Sequence, residues 1–190
     1  LSQHLEVQVQ TTPNPFALKF IANQPLKSDG KATFNTPDEA IALPLVQATF
    51  SVPGVRQVHL FQNTMTVSHT GDLVDDDLIA QVRAVMESRM PIHNPEFEPK
   101  PEAKAAPSVA RQDRSPEIQQ MEEILDRTVR PGLQSDGGDI EIISFENNEV
   151  RVLYQGACGG CPSSMMGTLD AIQSILQHEL DNPGLVVSPI

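Results

Sequence analysis

The sequence predicts an α+β fold built as two small α+β domains joined by a Pro-rich linker. Two observations carry that reading. Short runs of apolar–polar alternation, the mark of half-buried strands, occur in both halves together with apolar stripes at helical spacing, so each half has the pattern of a core of its own. Between them, residues 94–115 (NPEFEPKPEAKAAPSVARQDRS) hold four prolines and mixed charge, with only Phe97 and Val109 as larger apolar side chains. That is the composition of an extended tether. The expected division is 1–93, a first domain; 94–115, a flexible linker; and 116–190, a second domain.

Residues 5–10 (LEVQVQ) alternate and read as a strand, TTPNP turns the chain, residues 16–22 return, and residues 31–35 form a short third strand. Thr36, Pro37 and Glu39 read as a helix start: a Thr cap, Pro in the first turn and Glu three residues on, forming a capping box. Pro44 then predicts a break or kink. Residues 55–61 and 64–69 are two strands around a turn at Asn63. Residues 75–90 are a helix with acids in its first turn, Leu78, Val82, Val85 and Met86 on one face, and Arg89 near its end. In the second half Ser115-Pro116-Glu117 opens a helix with the stripe Ile118, Met121, Leu125 and Thr128/Val129. Arg127 and Arg130 lie toward its end, favourable for the helix dipole, and Pro131-Gly132 is expected to stop it. LQSDGGD leads into strand 140–145, Asn147-Asn148 turn the chain, and strand 150–154 follows. After a cysteine-bearing loop, Pro162, Ser163 and Ser164 start a helix expected to bury Met165, Leu169, Ile172, Leu176 and Leu180. Asn182-Pro183-Gly184 ends it, and LVVS forms a last short strand.

The chemistry concentrates in residues 156–169, GACGGCPSSMMGTL, which hold Cys158 and Cys161, the chain's two cysteines. Two glycines between them leave the backbone free to curl so that both sulfurs point one way. Both thiols stand just ahead of a helix N-terminus, whose partial positive charge favours thiolate. A disulfide across so short a loop would add little stability, and Gly-rich surroundings offer no apolar walls for a buried, inert pair. A redox dithiol would be expected near a βαβ pattern, whereas the context here is a hairpin followed by a helix. Zinc or an iron–sulfur cluster wants about four ligands, and one chain offers two thiolates. His178 lies at the far end of the helix, and His4, His59, His69 and His93 are scattered through the first half, where they read as solvated or strand-surface residues rather than ligands. A symmetric dimer with two C-x-x-C loops across a two-fold axis supplies four thiolates. The ligand count alone leaves iron and zinc open. Asp136 and Asp139 suit a turn and backbone caps entering a strand better than acid–base work, because no nucleophile or base partner stands nearby.

A formal net charge of −12 disfavours nucleic acid and anionic membrane surfaces as partners. The charge is uneven: residues 116–190 carry three arginines and no lysine against twelve carboxylates. No apolar run approaches the length of a membrane span. Two free thiols suggest a reducing compartment. The chain starts at Leu1 rather than Met, so a leader or tag is expected to have been removed. The expected location is cytoplasmic in a bacterium, or the mitochondrial or plastid matrix if a leader was removed.

Both halves resemble one family. RPGLQSDGGDIEII through LYQGACGGCPSSMMGTLDAIQSIL is similar to the NifU-like C-terminal domain of Nfu iron–sulfur carrier proteins, with the DGGD loop, paired strands and cysteine core in family order. TPNPFALKF and PLVQATFSVPGV resemble the Nfu N-terminal domain, although LPLVQATF departs from the commoner S-P-L-A-x-x-L-F form. The resemblance implies a carrier, not an enzyme. It implies that Cys158 and Cys161 of two protomers hold a bridging 4Fe–4S cluster and pass it to apo-proteins, with a 2Fe–2S form left open. The implied partners are apo iron–sulfur proteins, an upstream cluster scaffold and a second copy in a cluster-dependent homodimer. The first domain has no thiol, which leaves it target recognition or docking. Two rivals stand beside this reading: a thiol–disulfide oxidoreductase, with Cys158 attacking and Cys161 resolving, and a structural zinc-bridged dimer.

Overall fold

The computed structural model describes residues 4–98, 115–157 and 162–190, with the side chains of 162–165 excepted. The chain divides into two compact units, Leu1–Lys100 and Pro101–Ile190, each an α+β unit around its own core.

The first unit is a five-stranded antiparallel sheet in the order β1-β2-β5-β4-β3, made of β1 (Val7–Thr11), β2 (Ala17–Ala22), β3 (Lys27–Phe34), β4 (Val55–Gln62) and β5 (Thr64–His69). Side chains alternate across a strand, so one face collects Leu18, Phe20, Ala22, Val58, Leu60, Met65 and Val67. Helix α2 (Asp75–Arg89) adds Leu78, Val82 and Met86 to the same core, with Val85 partly buried beside them. Burying each of the larger side chains contributes about 1.5–3 kcal/mol.

Four local expectations change here. The third strand begins at Lys27, because a register shift between Lys27 and Lys31, with Gly30 at a φ of 67°, interrupts the alternation that marks a strand. Thr36 makes no side-chain cap; residues 37–40 form a 3-10 turn, and the Glu39 carboxylate accepts from Asn35 N–H at 2.6 Å, one residue earlier than a capping box requires. Pro44 does not kink a helix but opens one, α1 (Pro44–Phe50), where its missing N–H is no loss. The LPLVQATF segment buries Leu45, Val46 and Thr49, and the Thr49 hydroxyl donates to Leu45 O at 2.8 Å. Residues 94–98, read from sequence as the start of the tether, pack on this unit: Ser28 N–H donates to Pro95 O at 2.9 Å, and the Phe97 ring lies 6.1 Å from Phe34 and 5.9 Å from His93.

In the second unit, Ser115 caps α3 (Pro116–Thr128) by accepting from Ile118 N–H. Pro131-Gly132 does not end the helical path. The chain bends at Val129 and continues as α4 (Arg130–Ser135), with Pro131 in its first turn, where proline is tolerated. Strands β6 (Gly138–Glu146) and β7 (Glu149–Gly156) form a hairpin whose turn residues Asn147 and Asn148 both take positive φ. Helix α5 (Pro162–Glu179) follows, and β8 (Val186–Pro189) returns to pair parallel with β7. The core joins Met121, Ile124 and Leu125 to Ile140, Ile142, Val150, Val152, Ile172, Leu176 and Leu185; Ile118, Val129, Leu169 and Leu180 pack at its margin.

Candidate functional site

The cysteine loop is held at both ends by described structure. On one side β7 runs out at Gly156, which has a φ of 65° and pairs with Gly138 at the start of β6. Ala157, buried, then donates its N–H to Gly137 O at 3.1 Å, and Gly137, at a φ of 82°, donates its own N–H to Gln134 O in the last turn of α4. On the other side the backbone re-enters as α5 at Pro162. Cys158 and Cys161 themselves, with the two glycines between, lie outside the described residues, as do the serine cap and the burial of Met165. Beyond them Met166 is 69% exposed, and a Cβ at Gly167 would meet nothing within 4 Å. The described surface of α5 near its start is therefore open.

Where α3 and α4 meet the start of β6 stands a buried ion network that sequence reasoning missed. Arg130, assigned from sequence to the helix dipole, is instead buried, with its Nε donating to Asp139 Oδ1 at 3.0 Å and its Nη2 to Glu122 Oε2 at 2.6 Å and to Ile140 O at 2.8 Å. Nη1 reaches Asp126. Asp139 does cap Ile140 N–H, at 2.7 Å, as its turn position suggested, but its larger role is this ion pair in the interior. Burial disfavours the charged guanidinium; Glu122, then Asp126 and Asp139, outweigh that and hold the Arg130 pKa above its ordinary value. The signal was in the sequence: Glu122, Asp126 and Arg130 fall at four-residue spacing, so they share one helical side.

The histidines form no ligand set. His59 and His69 are buried, not solvated: His59 Nδ1 lies 2.8 Å from Thr33 Oγ1, and His69 Nδ1 accepts from Gly71 N–H at 3.2 Å. His93 Nε2 donates to Leu26 O at 2.7 Å, while His4 and His178 are exposed. Among the described residues no group of three or more His, Cys, Asp and Glu side chains could hold a metal ion.

Residues 7–91 match the family model for the "Scaffold protein Nfu/NifU N terminal", and residues 121–187 match the NifU-like domain. The human "NFU1 iron-sulfur cluster scaffold homolog, mitochondrial" is 31% identical over 180 residues, covering 92% of this chain and 68% of that protein. The chain belongs to the Nfu/NifU family. "NifU-like protein 5, mitochondrial" of Arabidopsis thaliana is another relative, 33% identical over 174 residues; the match takes in 90% of this chain but spans only 63% of that protein's length. Among solved structures, a NifU-like protein from Saccharomyces cerevisiae aligns at a TM-score of 0.43 and 22% identity, over 48% of this chain and 83% of that one, too loose to add to the assignment.

The Nfu match on the first unit runs from the start of β1 past the end of α2, so it takes in the whole sheet and its covering helices. The NifU-like match on the second begins inside α3 and ends in β8, enclosing the ion network, the Gly137–Gly138 contact and the cysteine loop. The N-terminal family model and the human relative are both named as scaffolds.

Proposed function

We propose that this chain is an iron–sulfur cluster carrier: Cys158 and Cys161 of two protomers hold a 4Fe–4S cluster between them and hand it to apo-proteins. The observation that supports this most directly is the Nfu/NifU match across both units, with a relative named as an iron–sulfur cluster scaffold, together with a C-x-x-C sequence between the end of β7 and the start of α5. Two thiols per chain are half of a four-ligand set, and a second copy would supply the remaining two. The cluster is cargo. Transfer runs by thiolate exchange: each incoming target cysteine loses its proton and binds iron as Cys158 or Cys161 leaves as thiolate. The start of α5 and the loop's own backbone N–H groups would offset the anionic charge of a four-thiolate cluster. The first unit, without a cysteine, would dock targets or the upstream scaffold, and the Pro-rich segment would tether the two functions. The relatives are named as mitochondrial, which favours a mitochondrial location over a bacterial cytoplasm.

The test is anaerobic reconstitution followed by iron and sulfide quantification and an absorption spectrum. About four irons and four sulfides per dimer are expected, lost in both Cys158→Ser and Cys161→Ser, with apo-protein monomeric and loaded protein dimeric. Zinc in place of iron would support the structural dimer. A reversible disulfide without a visible band would support the oxidoreductase.

A further inference from the structure

The ion network between α3, α4 and the start of β6 is costly for its place in the fold. Arg130, Glu122 and Asp139 are each at most 5% exposed, and burying charges costs several kcal/mol per ion before pairing repays it. Joining α4 to β6 alone would be served as well by apolar side chains. The contacts converge on one short segment. Arg130 holds Asp139 and the carbonyl of Ile140, and Gln134 Nε2 donates to the other Asp139 oxygen at 3.2 Å. Gly137 and Gly138, immediately before, are the residues that grip Ala157 and Gly156. Two steps therefore lead from the guanidinium to the residue preceding Cys158.

We propose that Arg130 and Asp139 are positioning residues for the approach to Cys158: their ion pair fixes Gly137–Gly138 against Gly156–Ala157, the two residues that lead into the cysteine segment. This rests on the carrier reading above. A fixed Gly156–Ala157 leaves less of the chain to order when a cluster binds, which lengthens the life of the loaded state. Glu122 has a different part. It anchors Arg130 to α3 and accepts from Ile142 N–H at 3.2 Å, farther along β6 and away from the loop.

The test compares Asp139→Asn with Glu122→Gln, each removing one charge from the same network while keeping its shape. Three quantities are measured: melting temperature, hydrogen exchange of the Ala157 amide in apo-protein, and the lifetime of the reconstituted cluster against a chelator. Asp139→Asn should speed Ala157 exchange and shorten cluster lifetime about tenfold or more, the size expected when an outer partner of a ligand is lost. Glu122→Gln at a comparable loss of melting temperature should do neither to that extent. If both variants shorten the lifetime in proportion to lost stability, or if Ala157 exchange is unchanged in Asp139→Asn, the positioning role is wrong. Arg130→Lys replaces Asp139→Asn should the latter fail to fold. If wild-type protein takes up no cluster, the carrier reading fails, and the Ala157 exchange comparison still decides whether the network holds the loop.

Discussion

His93 donates its Nε2–H to Leu26 O, stands edge-on to Phe97, and keeps Nδ1 buried without a hydrogen-bond partner. Burial pushes its pKa below 6.5, and the Leu26 hydrogen bond offsets this only in part. The folded unit thus favours neutral imidazole, and the unfolded chain binds a proton more readily. Its contribution to stability is full above the unfolded pKa and is lost as pH falls through the lowered folded value. Denaturant midpoints of the first unit should therefore drop between about pH 7 and about pH 5. His93→Gln should flatten that slope; a slope unchanged by the substitution would assign it to other groups. At this scale the sequence was least legible. His93 and Phe97 sit at the edge of a Pro-rich, charged stretch, and nothing in their spacing shows that Phe97 turns back onto Phe34 and under the Lys27 ammonium, 5.0 Å away. Arg130 was misread for a related reason: a helix-end arginine serves the dipole when exposed, and only tertiary packing decided that it is not.

Strands and helices were far more legible, because periodicity reports burial directly. The stripe Leu78, Val82 and Met86 and the alternation of β2, β4 and β5 are found where the pattern put them. What escaped were breaks in pattern, the β3 register shift and the bend at Val129, and orientation. LVVS reads as a strand, but whether it pairs antiparallel or parallel depends on the path of α5. Pairing with β7 buries Leu185 and Val187 and leaves Val186 about half exposed; Gln173 and Gln177 secure it by bonding Val187 N–H at 2.9 Å and Leu185 O at 2.7 Å. Leu185→Ala should cost the second unit about 2–5 kcal/mol, whereas Val186→Ala should stay within about 0.5 kcal/mol. Urea denaturation of residues 115–190 checks both, and equal effects would mean that β8 is not docked this way.

For the whole molecule the consequence of two separate cores is that function can be divided. Residues 1–98 and 115–190 each hold a complete apolar cluster and should fold as independent fragments, the first without metal. The second, bearing Cys158 and Cys161, should load a cluster alone yet deliver it more slowly than the full chain to at least some apo-proteins at low concentration, since tethering raises the local concentration of cargo near a docked target. Transfer rates for the two proteins across several targets measure this. Identical rates for every target would strip the first unit of the docking role proposed for it.

The parallel strand β8 also imposes an order in time. Every strand of the first sheet lies within residues 7–69, so that unit can close while the second is still being translated. The second cannot complete its sheet until residues 186–189 have left the ribosome, well after both cysteines. Until β8 arrives, β7 keeps one edge with unpaired backbone groups. A chain cut before Val186 should therefore self-associate more readily than residues 115–190, through the edge that β8 covers.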